Sequence, residues 1–187
     1  FTWSKIQVDP NDGDRITGIV SFRGSLIVFK KRSIHIVNGA TNDRQFTCAP
    51  FTLRMGARCP RSIVVEDDTI LFLTESMGVY GFDLNSVNPV STEIEDEVTS
   101  GLVWTDAAAD LVCAGYNRFR RQYLLSVRRV GESYNTRTHV LNWRSGAWGR
   151  AERCGNKAIP SCFAEMRNGS SVQKLYVGTV NGYAYEF

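Results

Sequence analysis

A block of β-rich sequence occurs four times along this chain, and this repeat constrains the fold more than any other feature. Ile16, Ser62, Leu111 and Ile159 each begin a block, so successive blocks start 46, 49 and 48 residues apart. Each of the first three blocks contains four short apolar runs separated by turn-forming residues, and the fourth block contains three. Four strands in a unit of about 40–50 residues are typical of a propeller blade.

Apolar and polar residues alternate within these runs, which predicts strands, and convincing helical periodicity is absent. The predicted strands are Ile16–Phe22, Leu26–Lys30, Ser33–Val37 and Phe46–Ala49 in the first block; Ser62–Glu66, Thr69–Thr74, Gly78–Asp83 and Val90–Ile94 in the second; Leu111–Tyr116, Arg121–Arg128, Thr138–Trp143 and Ala147–Ala151 in the third; and Ile159–Met166, Lys174–Val180 and Gly182–Phe187 in the fourth. The chain is therefore predicted to be all-β.

The fourth block lacks a fourth strand, and the beginning of the chain offers one. Phe1–Ile6 precedes Ile16 much as Ala147–Ala151 precedes Ile159, which makes Trp3 and Trp148 equivalent. Pairing of this N-terminal strand with the last block would cover two sheet edges at once. We expect one domain over residues 1–187, a four-bladed β-propeller of antiparallel strands closed by the N-terminal strand. A fragment of a larger ring and a double-sheet sandwich are the alternatives.

The composition is that of a folded globular protein. Hydrophobic residues make up 43% of the chain and charged residues 22%, with a net charge of +3, which argues against disorder. No apolar run approaches the roughly 18–20 residues that a transmembrane helix needs. The first residue is Phe1 with no leader before it, so we expect a processed chain or an excerpt of a longer one.

The five cysteines are irregularly spaced and form no CxxC pair. Their number and spacing favour buried free thiols in a reducing compartment over a disulfide scaffold or a zinc site.

The residues give no signature of an active site, so we predict no catalytic residue, no metal and no cofactor. The chain has two histidines, His35 and His139, both on the third strand of a block, where a shared structural position is the simplest interpretation. GxSxG and HExxH motifs are absent, as is the repeated Ser-x-Asp-x-Gly-x-Thr-Trp turn of sialidase propellers. Asp9–Asp14 is interpreted as a tight turn rather than a calcium loop, and the carboxylates from Glu93 to Glu97 as a solvated loop.

Basic residues gather in turns between predicted strands, where they could contact a partner. One group lies on second-to-third-strand turns of two blocks, and the other lies on a first-to-second-strand turn at the opposite face. The candidate partner-contact residues are Lys30, Lys31, Arg32, Arg128 and Arg129 in the first group, and Arg118, Arg120 and Arg121 in the second. They form no single stripe, so solvated turns remain the simpler interpretation and contact with nucleic acid is weakly supported.

The first two blocks resemble a known class of proteins. The run from Asp12 to Ile19, the run from Phe22 to Lys30, the Ser33–Gly39 segment and the Gly78–Asp83 segment are similar to bacteriophage and prophage structural propellers. These include tail and neck proteins such as the nozzle and stabilisation proteins of short-tailed phages. The resemblance covers about Asp12 to Glu97, and after that only the strand rhythm remains.

The resemblance implies a non-enzymatic structural component of a virion tail or neck, assembled in the bacterial cytoplasm. Its partners would be other tail or neck proteins or copies of itself, with no membrane involved. The alternative is a lectin-like propeller that binds a carbohydrate or another ligand. Such a propeller would carry aromatic residues at equivalent loop positions of its blocks, and the four tryptophans do not clearly follow that pattern. A glycoside hydrolase, the third possibility, would need carboxylates that converge on one face.

Overall fold

A computed structural model describes residues 5–39, 46–66, 68–75, 78–96, 105–151, 159–167 and 173–187. Within them, fifteen strands form four antiparallel sheets, and each sheet contains only strands that are consecutive in the sequence. Sheet 1 holds β1 (Ile16–Phe22), β2 (Ser25–Lys30), β3 (Ile34–Gly39) and β4 (Phe46–Thr52); sheet 2 holds β5 (Val64–Glu66), β6 (Thr69–Leu73), β7 (Val79–Phe82) and β8 (Val87–Pro89); sheet 3 holds β9 (Cys113–Asn117), β10 (Gln122–Arg128), β11 (Asn135–Asn142) and β12 (Trp148–Ala151); and sheet 4 holds β13 (Pro160–Arg167), β14 (Gln173–Thr179) and β15 (Ala184–Glu186).

The prediction of an all-β chain with one sheet per repeat is confirmed. Neighbouring strands pair in simple meander order, as in the β1–β2 hairpin, where Phe22 is opposite Ser25 and Ile19 is opposite Val28. Arg23 and Gly24 form the turn of this hairpin with positive φ angles of 47° and 80°. Two central residues with positive φ produce the twist that a two-residue hairpin requires.

Sheets 1 and 2 pack face to face through an apolar cluster. Phe22, Ile27, Phe29 and Ile34 come from sheet 1, and Ile70, Phe72 and Phe82 come from sheet 2. The rings of Phe29 and Phe72 lie 5.0 Å apart at an angle of 54°, a tilted arrangement that aromatic pairs favour.

Sheets 2 and 3 pack through a second cluster on the other side of sheet 2. Leu71, Leu73 and Val79 of sheet 2 meet Tyr116, Tyr123, Leu125, Val127 and Leu141 of sheet 3. Successive residues of β6 thus point alternately into the two clusters, as the period of a strand requires. The hydroxyl of Tyr123 donates to the carbonyl of Ser62 at 3.0 Å, a buried hydrogen bond between the two sheets' segments.

Sheets 3 and 4 are in close contact at Gly115. A Cβ atom on Gly115 would lie 2.5 Å from Cβ of Phe163 and 3.2 Å from Cδ1 of Leu175. The sheets therefore stack in chain order, 1 on 2, 2 on 3 and 3 on 4. We define the forward face of a sheet as the face toward the next sheet in this order, and the rear face as the opposite one.

In the part of the chain that the structure describes, short helical turns interrupt the predicted strand pattern, and three of them change the predicted strand bounds. The first strand of the second block begins at Val64 rather than at Ser62, because Pro60–Ser62 forms a 3-10 turn in which the Ser62 hydroxyl donates to the Cys59 carbonyl at 2.7 Å. The strand predicted at Val90–Ile94 was wrong. The fourth strand is β8, and the chain then turns into a 3-10 helix over Thr92–Ile94.

The third turn is a helix, α1 (Asp106–Ala109), which precedes β9, so that β9 begins at Cys113 and not at Leu111. Thr105 caps this helix by accepting a hydrogen bond from the Ala108 N–H at 3.2 Å. None of the helices in the described residues is long and apolar enough to cross a membrane.

The predicted closing strand, Phe1–Ile6, falls mostly outside the described residues, which begin at Lys5. Lys5 and Ile6 belong to no strand, and sheet 4 has three strands in the part of the chain that the structure describes. Trp3, Trp104, Glu97 and Cys154 also lie outside the described residues.

Candidate functional site

His35 and His139 occupy matching positions, as predicted. His35 lies on β3 opposite Val28, and His139 lies on β11 opposite Leu125, so both project from the rear face of their sheets. Both side chains are buried. Burial lowers the pKa of His139 to about 4, helped by the charges of Arg137 and Arg129, and burial also lowers the pKa of His35.

His35 has one neighbour that the sequence analysis did not single out. Its Nε2 lies 3.0 Å from the hydroxyl of Ser33, and both residues are buried. A serine beside a histidine can act as a nucleophile and base, but these two side chains are only 3% and 2% exposed. A substrate carbonyl could not reach them without displacing the chain that covers them, so the pair acts as a packed polar contact.

Lys30 does not lie on an exposed turn, which corrects its assignment as a partner-contact residue. It is the last residue of β2, and only 2% of it is exposed. Its ammonium donates to the carbonyl of Asp9 at 2.9 Å, to the carbonyl of Val8 at 3.2 Å and to the Asp12 carboxylate at 2.5 Å. A buried ammonium needs such partners, so Lys30 fixes the N-terminal segment against sheet 1.

The predicted tight turn at Asp9–Asp14 is confirmed. The Asp14 N–H donates to Asp12 Oδ1 at 2.9 Å, and Gly13 between them has a φ of 71°, a conformation that favours glycine. The hydrogen bond from Lys30, followed by the one from the Asp14 N–H, lowers the pKa of Asp12. Asp14 accepts a hydrogen bond from the Arg32 N–H at 2.8 Å. Among the described residues, no three potential metal-ligating side chains cluster.

Lys31 and Arg32 take part in an ion-pair network with residues from outside sheet 1. Glu75 lies 3.0 Å from Arg32 and 3.5 Å from Lys31, and it also pairs with Arg58 at 3.4 Å. Asp106, at the start of α1, pairs with Lys31 and Arg58 at 3.6 and 3.4 Å. Burial acts to raise the pKa of Glu75, but the hydrogen bond from Arg32 and the nearby cations together lower it.

These groups surround an open cavity of about 450 Å³ at one end of sheet 1. The fold thus brings together the acidic turn and the basic turn, two groups that the sequence analysis had considered separately. The cavity is lined by Asp9, Asp12, Gly13, Asp14, Arg15, Lys31, Arg32, Ser33, Leu53 and Asp106. Charges of both signs line it and pair with each other, so the cavity does not present the field of a single sign that attracts phosphate or nucleic acid.

The second basic group lies at the opposite end of the strands, as predicted. Arg118 pairs with Glu165 of sheet 4 at 3.2 Å and with Glu66 of sheet 2 at 3.8 Å, so it ties three successive sheets together. Arg120 and Arg121 are exposed, and Arg120 lines a second depression of about 420 Å³ beside Trp148.

Arg128 and Arg129 lie at the end of β10, in the place that matches Lys30 and Lys31. They do not line the first cavity, and Arg129 is exposed whereas Arg128 is half-buried. Lys31, Arg32, Arg118, Arg120, Arg121 and Arg129 therefore offer their side chains to solvent to different degrees, and the fold does not gather them into one patch.

The remaining predicted groups have mainly structural contacts. Glu93 accepts a hydrogen bond from the Trp148 N–H at 3.3 Å, and Trp143 and Trp148 pack against the cluster between sheets 2 and 3. Cys59 and Cys113 are buried free thiols, as expected, and burial raises the pKa of each to about 12. Cys48 is half-buried, and Cys162 is exposed, contrary to the expectation of burial.

No protein-family model and no curated protein matches this chain. Among solved structures, the chain is similar to the crystal structure of the computationally designed Ika4 protein, with a TM-score of 0.53 and 7% sequence identity. The similarity covers 100% of this chain and 98% of that one. At this identity it concerns the fold alone.

Proposed function

We propose that the four sheets are the blades of a β-propeller and that the protein is a non-enzymatic structural scaffold. The observation that carries this proposal is the serial stacking of one meander sheet per repeat, with apolar clusters between successive sheets. Meander sheets that pack side by side in chain order are the arrangement from which a propeller is built.

The distribution of polar groups supports a scaffold. The ionic side chains at the strand ends pair across successive sheets, as Arg32 does with Glu75 and Arg118 does with Glu165. Such pairs fix the sheets relative to one another and leave the connecting turns free to contact neighbours. The Ser33–His35 pair is buried, and two carboxylates of the first cavity, Asp12 and Asp106, are paired with cations.

We propose further that this scaffold is part of a phage tail or neck, in contact with other tail or neck proteins or with copies of itself. This part of the proposal rests on the resemblance of residues 12–97 to phage structural propellers. The exposed arginines Arg120 and Arg129, on turns at opposite ends of sheet 3, are the candidate contacts.

Mass spectrometry of purified particles from the strain that encodes the chain tests this proposal. We expect the chain in the particles at a fixed ratio to the tail proteins, and immunogold labelling at the tail or neck. Arg120→Glu and Arg129→Glu should reduce its incorporation, whereas Arg144→Glu, a charge reversal on the exposed β11–β12 turn, should not. Particles that lack the chain would contradict the virion role, and reproducible binding to a glycan array would favour the lectin-like alternative.

A further inference from the structure

The turn between β9 and β10 presents an exposed aromatic side chain flanked by arginines. We infer that this turn binds an extended acidic segment of a neighbouring protein. Phe119 packs against the segment, and Arg120 and Arg121 pair with its carboxylates. One apolar side chain of the segment enters the depression beside Trp148. The inference deepens the proposed scaffold role and rests on it for the identity of the neighbour as another protein of the particle.

The turn of sheet 3 is longer than the corresponding turns of sheets 1 and 2. In those two sheets, two residues separate the paired strand ends. In sheet 3, Asn117 pairs with Gln122, so the turn has four residues (118–121). The corresponding turn of sheet 4 lies outside the described residues. Phe119 lies within the sheet 3 turn and is 84% exposed, more than any other large apolar residue in the described part of the chain.

Hydrogen bonds hold this turn, so the position of Phe119 is fixed by the fold. The side chain of Asn117 is buried, and its Oδ1 accepts a hydrogen bond from the Arg120 N–H at 3.0 Å. The Arg121 carbonyl accepts one from the Trp143 N–H at 2.9 Å, and Arg121 itself has a φ of 52°. A group that is already held in its binding position loses less conformational entropy when a partner binds.

The charge of the turn favours an acidic partner. Arg118 is occupied by its ion pairs with Glu165 and Glu66. Arg120 and Arg121, in contrast, are exposed, and neither forms an ion pair with another residue that the structure describes. Exposed arginines of this kind attract carboxylates of a partner and speed its association.

The corresponding turn of sheet 1 shows how such charges are satisfied within the chain. Arg23 pairs with Asp68 at 2.6 Å, and its guanidinium lies 5.3 Å from the centre of the Phe22 ring. The ring of Phe22 is buried. In sheet 3 the aromatic ring and two of the neighbouring arginines face solvent instead. Aromatic residues and arginines are enriched at protein interfaces, where a few such residues contribute most of the binding energy.

A depression of about 420 Å³ adjoins the turn, and Arg120 forms part of its lining. Gln122 and Asn142, which lie opposite each other on β10 and β11, line it with their amide-bearing residues, and Val140 and Trp148 add apolar surface. A concave surface with a few polar groups suits an apolar side chain, and amides can form hydrogen bonds with the backbone of an extended segment. The partner segment therefore needs an apolar residue close to its carboxylates.

Carboxylates at the base of the turn favour a protein segment over a nucleic acid or a membrane. Glu66 and Glu165 lie 3.8 and 3.2 Å from Arg118 and place negative charge beside the exposed arginines. They would repel the closely spaced phosphates of a nucleic acid or of an anionic bilayer. Binding of single strands also uses successive aromatic rings, whereas this turn carries one. A protein segment can place carboxylates opposite Arg120 and Arg121 alone.

Fluorescence anisotropy with a short labelled peptide of Asp, Glu, Leu and Gly tests the inference. Two peptides of equal length are the references, one with Ser in place of Leu and one with Lys in place of Asp and Glu. We expect the acidic peptide with Leu to bind at least ~10-fold more tightly than either reference. Its affinity should fall as the salt concentration rises.

Substitutions in the turn test which residues bind this peptide. Phe119→Ser should weaken binding at least ~10-fold, and Arg120→Gln and Arg121→Gln should each weaken it roughly 3- to 10-fold and reduce its salt dependence. The matched controls are Tyr134→Ser, at a 50% exposed aromatic residue at the opposite end of sheet 3, and Arg54→Gln, at an exposed arginine after β4. Both should bind as the parent chain does, and circular dichroism confirms that each variant is folded.

A parent chain that does not distinguish the three peptides overturns the inference, as does a Phe119→Ser variant that binds the acidic peptide normally. Oligo-dT or phosphatidylglycerol vesicles are tested in parallel. If either binds the parent chain more tightly than the acidic peptide does, the turn recognises nucleic acid or a membrane and the inference is wrong.

Photo-crosslinking in purified particles separates this inference from the proposed function. With p-benzoylphenylalanine in place of Phe119, we expect links to a segment rich in Asp and Glu. A chain that is in the particles but links only to neutral or basic segments would refute the acidic partner and leave the proposed function standing. A chain that binds the acidic peptide but is absent from particles would refute the virion role and leave the binding turn standing.

Discussion

The contact between sheets 3 and 4 can be tested by adding a single carbon atom. Gly115 lies on β9 with no side chain between the sheets, and the Cβ of an alanine there would lie 2.5 Å from Cβ and 2.8 Å from Cγ of Phe163. The Cβ of Phe163 is bonded to the backbone and cannot rotate away. Gly115→Ala therefore forces the two sheets apart or bends a strand.

The expected destabilisation follows from two opposing terms. Extra carbon in a well-packed core costs typically 1–3 kcal/mol, and removing a glycine from a strand returns roughly 0.5–1 kcal/mol through the entropy of the unfolded chain. Because two heavy atoms lie within 3.0 Å, we place the packing cost at the upper end and expect a net loss of about 2 kcal/mol. For a chain of this size that lowers the Tm by roughly 4–8 °C.

Urea unfolding followed by circular dichroism measures this loss, and Gly149→Ala is the matched control. Gly149 lies on β12 of the same sheet, and the nearest atom to an added Cβ there is the Val140 carbonyl oxygen at 4.0 Å. We expect Gly149→Ala to leave stability unchanged or to raise it slightly. If Gly115→Ala is as stable as Gly149→Ala, the sheets do not meet at Gly115 and the stacking order is wrong at this point.

A double-mutant cycle sharpens the test. Phe163→Ala removes Cγ but keeps the Cβ that the new alanine meets most closely, so it should relieve the Gly115→Ala defect only in part. Phe163→Gly removes both atoms and should relieve the defect more fully. Equal coupling for the two variants would place the conflict at the ring of Phe163 instead of at its backbone.

Three further changes test individual interactions. The pKa of His139 falls from 6.5 to about 4 on folding, so the unfolded chain binds the proton more tightly than the native state does. The free energy of unfolding should therefore decrease by ~2 kcal/mol between pH 7 and pH 5. Urea unfolding at the two pH values measures this decrease, and His139→Leu should make it smaller. Lys30→Met removes the ammonium that holds Asp12, so the pKa of Asp12 should rise toward 3.8 in a carbonyl NMR titration while stability falls by roughly 1–3 kcal/mol. Tyr123→Phe deletes the buried hydrogen bond to Ser62 and should cost about 1–2 kcal/mol in the same unfolding assay, and an unchanged midpoint would show that this hydrogen bond contributes nothing.

The strands could be predicted from the sequence because their signal is local. Ile16–Phe22 was predicted to the residue, and the runs at Thr69 and at Gln122 were predicted to within one residue. Alternation with period two, together with turn residues at regular spacing, needs no knowledge of the partner strand. The one-sheet-per-block division follows from the repeat itself.

The misplaced elements and the ion pairs depend on information that is not local. The fourth strand of sheet 2, β8, ends at Pro89, which lacks an N–H group and is tolerated there because β8 is an edge strand. The sequence analysis had placed this strand after the proline, at Val90–Ile94. Lys30 resembles any basic residue at a turn, and its burial becomes evident only when Asp12, 18 residues earlier in the chain, folds over it. Charged side chains at the ends of the sheets form ion pairs with residues that are distant in the sequence. A single sequence does not show which of these residues come close together in space.

A continuous apolar run in the sequence marks a strand that is covered on both faces, and it does not specify what covers it. In β6 the four residues from Ile70 to Leu73 are all apolar and buried, since sheet 2 has an apolar cluster on each face. In β2 the residues from Ile27 to Lys30 are buried as well, although sheet 1 is the first sheet of the stack. There the N-terminal segment contributes to the cover, because the carbonyls of Val8 and Asp9 accept hydrogen bonds from Lys30. The hydrophobic pattern alone therefore predicts that a strand is buried, whereas the identity of the covering segment depends on tertiary contacts.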